Sequence, residues 1–267
     1  SLGAGVQSSA MALMAAKGKL EPMPDCAIFA DTGAEPRHVY DQVEYLTEIV
    51  PFPIYTVMED EGLEKSIIDS IKDGKDKHGR FASAPFYTES PNGKGMLRRQ
   101  CTNDFKIKPI QRKIRELVGL EKGQRGPKEV AVSQWIGISL DEAARMKPNQ
   151  THWIENRWPL IEKEMYRYDC LKWMEENEYP KPGKSACYFC PYHDNKTWEV
   201  MKTNDPDSFG LAIKMDSLVR NGAKRTSNST ERLYLHRTMQ PIDEVDFNPD
   251  RDQFDMFDNE CEGLCGV

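Results

Sequence analysis

Long apolar runs are missing from this 267-residue chain. No stretch approaches the roughly 20 consecutive apolar residues that a membrane span needs, and a mean hydropathy of −0.68 with 30% charged residues is that expected of a soluble protein. No internal repeat is present, which excludes solenoid and array architectures. No secretory leader is visible, so a cytoplasmic location is expected. The sequence opens directly on a polar loop, and a sheet strand ahead of Ser1, with any targeting segment, is expected to lie outside it. A positive net charge is also missing: the value is −7, which argues against wholesale nucleic-acid binding.

The seven cysteines, at 26, 101, 170, 187, 190, 261 and 265, are an odd count in a chain too long to need disulfide staples. Without a secretory context, metal or redox chemistry is the better reading of them. Length allows one large core, or a core with a smaller lobe.

What is present begins at Ser1-Leu-Gly-Ala-Gly-Val-Gln-Ser-Ser-Ala, small and hydroxyl residues running into an Ala/Met/Leu segment of strong helix propensity. A loop opening onto a helix N-terminus offers free N–H groups and a positive dipole end to an anion, and Gly3 and Gly5 permit close approach. The plain alternative is a Ser/Gly turn with a Ser N-cap. No Lys follows as in the G-x-x-x-x-G-K-[ST] loop, and Ser8 breaks the dinucleotide G-x-G-x-x-G pattern. A third kind of phosphate loop is required.

Along the chain, Asp25–Gly33 reads as a short buried strand ending in the polar turn Asp31-Thr32-Gly33. A helix is expected through Tyr40 to Ile49, a strand at Pro53–Met58 and a helix at Gly62–Ile71. Residues 72–95 have no period and read as a long loop. Helical spacing returns at Phe105–Leu117, Glu129–Ser139 is the clearest strand, and Leu140–Met146 opens another helix. Strands alternating with helices imply an α/β fold on a doubly wound parallel sheet. Composition then shifts to Trp, Tyr, Pro and Cys. Residues 1–150 are therefore expected to form a nucleotide-binding domain and residues 151–267 a smaller, mainly helical lobe bearing cysteines.

Charge is unevenly spread. Between Pro91 and Lys128 there are 11 Lys/Arg against 3 Asp/Glu, near +8, leaving about −15 elsewhere. This describes either a polyanion-binding face or a solvated helix face of ion pairs. Arg98, Arg99, Lys106, Lys108 and Arg112 are its candidate contacts.

The loop and the Asp-Thr-Gly turn together resemble the PP-loop superfamily, the adenine nucleotide alpha hydrolases, and within it the phosphoadenosine phosphosulfate (PAPS) reductase branch. The resemblance rests on Ser1, Gly3, Ser8 and Ser9, with a loop about two residues longer, on Asp31, Thr32 and Gly33, and on Gly137, Glu142 and Arg145 after the clear strand. It implies a Rossmann-like fold binding ATP or a sulfonucleotide, with Mg, through Ser1, Gly3, Gly5, Gln7, Ser8, Ser9, Asp31, Thr32, Gly33, Gly137 and Arg145. Many ATP-cleaving members carry Asp where this chain has Gln7, and Gln7 is similar to the sulfonucleotide reductases.

Cys187-Tyr-Phe-Cys190-Pro lets two thiolates reach one centre from a single turn, as in zinc knuckles, dithiol pairs or iron–sulfur motifs. Cys101, followed by Lys106 and Pro109, resembles the cluster-ligand region of iron–sulfur sulfonucleotide reductases, which carry two adjacent cysteines there. The resemblance implies a 4Fe-4S cluster on Cys101, Cys187 and Cys190, with zinc as the alternative. Three-cysteine clusters with an open iron are a property of several PP-loop tRNA thiolases. Cys170 reads as packing, Cys26 as a buried small residue, and His193 as a candidate ligand. The tail Glu260-Cys261-Glu-Gly-Leu-Cys265 is similar to the E-C-G-L-H end of PAPS reductases, which makes Cys261 a candidate nucleophile and Cys265 its resolving partner.

The function implied is ATP cleavage between the α and β phosphates to adenylate an RNA or DNA base for iron–sulfur-dependent thiolation, with Ser8 donating to the transferred phosphoryl. A sulfonucleotide reductase with Cys261 as nucleophile, or a noncatalytic nucleotide- or nucleic-acid-binding module, are the alternatives. Partners are then the adenine nucleotide, the nucleic-acid acceptor and a second copy in a homodimer, with no membrane.

Overall fold

A helix apolar all round must be enclosed on all sides. Val6–Ala16 (α1) obeys this: every residue from Val6 to Ala15 is buried, and Gly5 caps it in extended conformation. The structure is a computed structural model that describes residues 1–74, 83–90, 93–226 and 232–247. After α1 come β1 (Ala27–Asp31), α2 (Arg37–Ile49), β2 (Ile54–Met58) and α3 (Gly62–Asp73). The buried positions of α2 (Val39, Gln42, Leu46) and α3 (Leu63, Ser66, Ile67, Ser70, Ile71) repeat at helical spacing, so each buries one face, that of α2 in the core around α1 and Phe29 and that of α3 in a second core.

β1 and β2 pair in parallel, Phe29 opposite Thr56. β5 (Val132–Trp135) and β6 (Ile154–Arg157) form a second parallel pair, Gln134 opposite Asn156. Among the described residues Ser1 and Leu2 join the two: Leu2 pairs in parallel with Phe29 and donates to Ile28 O at 2.8 Å, while the Ser1 amino group donates to Trp135 O at 2.8 Å. One backbone thickness therefore separates β1 from β5, and the remainder of that gap is a cavity of about 450 Å³ lined by Cys26, Ile28, Ile110, Ile114, Val132 and Trp135. Cys26 is half-buried here rather than fully enclosed.

The fold is thus mixed α/β with parallel strand pairs and covering helices. Because β6 pairs with β5, the sheet continues past residue 150 before the helices α5 (Pro159–Glu162), α6 (Arg167–Glu176), α7 (Asn195–Asn204) and α8 (Pro206–Thr226). Cys170 on α6 is buried in the core shared with α1, where burial above all pushes its thiol up to about 12. It is a packing residue.

The segment read as a long loop contains β3 (Tyr87–Ser90) and β4 (Gly93–Met96), an antiparallel pair that β7 (Arg232–Tyr234) extends. Strands of three or four residues, one of them Gly-Lys-Gly-Met, show no usable period, and their pairing across the chain is a tertiary effect. Helix α4 (Lys108–Leu117) is entered through a π-helical turn at Asn103–Ile107, and the expected helix after β5 is a 3-10 turn, Leu140–Arg145.

Asp216 of α8 ties β7 to the helices. Its carboxylate, fully buried, accepts from Leu235 N at 3.1 Å and Ile242 N at 3.4 Å and pairs with Arg220 at 3.2 Å. Asp216→Ala would strand two buried N–H groups, so a loss of about 2–4 kcal/mol is expected in urea unfolding. A loss below about 0.5 kcal/mol, the level of a neutral surface substitution, would contradict this role.

Candidate functional site

The first bonds of α1 leave the N–H groups of its first turn pointing into the loop that precedes it. Ser8 closes that loop: its Oγ accepts from Gly3 N at 3.2 Å and donates to Gly5 O at 3.3 Å. Gly137, just past β5, lies against the same residue, since a Cβ there would stand 2.9 Å from both Ser8 N and Ser8 Cα. Ser9 is turned one helical step away, facing α2, and accepts from Gln42 Nε2 at 3.3 Å.

Gln7, buried in that first turn, joins both lobes. Its amide nitrogen donates to Glu142 Oε2 at 3.0 Å and Ser139 Oγ at 3.3 Å, and its carbonyl oxygen accepts from Arg167 Nη1 at 2.9 Å. Arg145 pairs with Glu142. Burial above all raises the Glu142 carboxyl and lowers the Arg167 guanidinium from their ordinary values, and the opposite charges nearby oppose both shifts. A carboxylate at position 7 would face Glu142, which gives Gln7 a physical reason. Arg167 at this site carried no sequence signal, being 160 residues from Gln7 along the chain.

The Asp-Thr-Gly turn sits at the carboxyl end of β1. Asp31 Oδ1 accepts from Gly33 N at 2.7 Å and Tyr40 OH at 2.9 Å, and Thr32 O accepts from Leu63 N at 2.7 Å. Gly62 must be glycine here: its φ is +82°, and a Cβ would meet Thr32 O at 2.8 Å.

The buried Thr32 hydroxyl donates to Glu35 Oε1 at 3.0 Å and lies 3.2 Å from Cys187 Sγ. With its proton committed to Glu35, Thr32 takes the thiol proton as acceptor. Lys106 Nζ is 3.3 Å from the same Glu35 oxygen, and Glu35 Oε2 is buried with no hydrogen-bond partner. Burial, then the Glu35 charge, raises the Cys187 thiol well above its ordinary value, against the pull of Lys106.

Cys101, Cys187 and Cys190 line one small pocket with Thr32, Lys106 and Phe189. Its free volume of about 30 Å³ admits a water-sized guest. Among the described residues no three His, Cys, Asp or Glu side chains are close enough to share one metal ion. The donors fit a thiolate-held centre in kind, three soft sulfurs beside an unsatisfied buried acceptor. His193 packs edge-on against Trp198 and donates through Nε2 to Cys187 O at 2.9 Å, with burial driving its imidazole down to about 3, so it braces the turn as a neutral ring.

The basic stretch is largely paired within the fold. Lys106 meets Glu35, Lys108 meets Asp104 at 2.7 Å, Arg112 meets Glu59, and Arg99 lies over the Tyr192 ring, while Arg98 is exposed. The tail residues Cys261 and Cys265 lie outside the described residues.

The loop before α1 and the thiol pocket are joined by one short segment. Ser185 Oγ donates to Gly3 O, Cys187 meets Thr32, and Tyr188 N donates to Ala34 O at 2.9 Å. Comparison with protein-family models, curated proteins and solved structures finds no match for this chain. Gly137→Ala, by pushing on Ser8, is expected to weaken ATP binding in a calorimetric titration by about tenfold, or ~1.4 kcal/mol. An unchanged Kd would remove the loop from the site.

Proposed function

We propose that the chain is an adenine-nucleotide-dependent enzyme of sulfur chemistry, cleaving ATP between the α and β phosphates to adenylate a nucleic-acid base that is then thiolated. The observation that carries this is the juxtaposition of an anion-binding loop and a three-thiol pocket through the Ser185–Tyr188 segment. Nucleotide activation and sulfur delivery need two such centres within reach of one acceptor. The same reading takes β2, β1, the Ser1–Leu2 stub, β5 and β6 as one doubly wound sheet of PP-loop type, with ligands at the carboxyl ends of its strands.

In this mechanism the first-turn N–H groups of α1, Gly3 N–H and the Ser8 hydroxyl hold phosphate oxygens and stabilise charge that develops on the α-phosphoryl. Mg accompanies the nucleotide. Arg145 and Arg167 stand beside the loop, near the leaving pyrophosphate, with Gln7 and Glu142 fixing their positions. Cys101, Cys187 and Cys190 would hold an iron–sulfur cluster, which when bound supplies sulfur to displace AMP from the adenylated base. Thr32, held by Glu35, orients the Cys187 thiol, and Lys106 offsets its burial.

The sulfonucleotide reductase reading stays in play through Gln7: a neutral loop residue between two guanidinium groups also suits a sulfonucleotide's phosphate and sulfate. Incubating the protein with ATP and a panel of RNA and DNA acceptors distinguishes the two. AMP and pyrophosphate in equal amounts, dependent on an acceptor, are expected. Sulfite release from a sulfonucleotide, with no ATP cleavage across the panel, would replace the adenylation reading with the reductase one.

A further inference from the structure

Ser185 is the first residue of the segment that ends in the C-x-x-C turn, and nothing about its type or spacing marks it. In the fold it is 4% exposed, its hydroxyl donates to Gly3 O, and its Cβ lies 3.6 Å from where a Cβ on Gly5 would be. Gly3 is therefore gripped from two sides, its N–H by Ser8 and its C=O by Ser185. Only the buried Ala186 separates Ser185 from Cys187, whose sulfur is 3.2 Å from Thr32 Oγ1, and Tyr188 N–H is fixed on Ala34 O. On the other side, His38 Nε2 donates to Lys184 O at 3.1 Å, and Gly183 lies so close to the His38 ring that a Cβ would stand 2.5 Å from it.

We propose that Ser185 is a positioning residue that couples occupancy of the phosphate loop to the thiol pocket. The inference rests on the nucleotide reading above and adds a device to it. In the structure the loop's own groups satisfy one another: Gly3 N–H goes to Ser8, Ser8 O–H to Gly5 O and Ser185 O–H to Gly3 O. An ionised phosphate oxygen is the stronger acceptor and draws both N–H and O–H donors to itself. Once Ser185 turns its hydroxyl to phosphate, the segment shifts at its start while Tyr188 holds its end, and the residue that must take up the change is Cys187. A packed core passes on such a displacement because it has no slack to absorb it.

The test reads thiol accessibility rather than turnover. Protein purified under nitrogen is alkylated with iodoacetamide, and the modification of Cys187 and Cys190 is followed by peptide mass spectrometry with and without α,β-methylene ATP at a concentration that calorimetry shows to be saturating. The analogue is expected to slow alkylation about fivefold or more in the natural protein and in Ser185→Thr, which keeps the hydroxyl, and to change it less than about twofold in Ser185→Ala. Gly183→Ala, which displaces the segment from His38 without touching the loop, is expected to lose the protection as well. Equal protection in Ser185→Ala and Gly183→Ala would overturn the proposal, since the nucleotide would then act by simple covering. So would a natural protein that binds the analogue and shows no change in alkylation. A natural protein that binds no adenine nucleotide fails at an earlier step and sinks the nucleotide reading itself.

Discussion

The structure turns on a segment of four residues, Ser185–Tyr188, bonded at three points to Gly3 of the loop before α1, to Thr32 of the Asp-Thr-Gly turn and to Ala34 ahead of α2. Each bond is buried, so breaking any one leaves a polar group without water and costs about 1–3 kcal/mol rather than the smaller net worth of an exposed bond. That asymmetry keeps the thiols at the carboxyl end of β1. Ser185 also packs closely on the loop, its Cβ 3.6 Å from where a Cβ on Gly5 would stand.

Burying charge around this segment is possible only because each buried carboxylate meets a cation or an aligned donor. Glu35 has Lys106 and Thr32, Glu142 has Arg145 and the Gln7 amide, Asp104 has Lys108, and Asp216 has Arg220 with two backbone N–H groups. Of the basic stretch, Lys106 and Arg112 pair with Glu35 and Glu59 from elsewhere in the chain, and Lys108 pairs with Asp104 within the stretch itself. A surface estimated from the local count alone overstates the field available to a polyanion. Glu35 Oε2 stands outside this balance, buried and unpartnered beside Cys187, and it marks where the pocket has unmet bonding capacity.

Local patterns were legible. The helix after the loop, the strand ending in Asp31, the helix after Gly62 and the strand at Val132 follow from period and from Gly, Pro and hydroxyl placement. The family resemblance groups Cys101 with Cys187 and Cys190, and the three line one pocket. The β3–β4–β7 sheet was not legible: its strands are too short for alternation to show, and β7 lies more than a hundred residues from β3, the strand it pairs with. Ser185 and Arg167 escaped for a similar reason, since a serine before a turn and an arginine opening a helix acquire a role only from what the fold places opposite them. Ser9 shows the converse, a residue whose type suits a phosphate loop and whose helical phase turns it to Gln42.

The central claim is that nucleotide loop and thiol pocket are one apparatus built for a thiolate-held cluster. Its most direct test is the iron and sulfide content, with the visible absorbance, of protein purified without oxygen, compared with Cys101→Ser, Cys187→Ser and Cys190→Ser. About four irons and four sulfides per chain with a broad band near about 400 nm, lost in each of the three variants, is the expected result for one cluster on three cysteines. Colourless, iron-free natural protein, or a cluster that survives loss of Cys101 intact, would contradict the account.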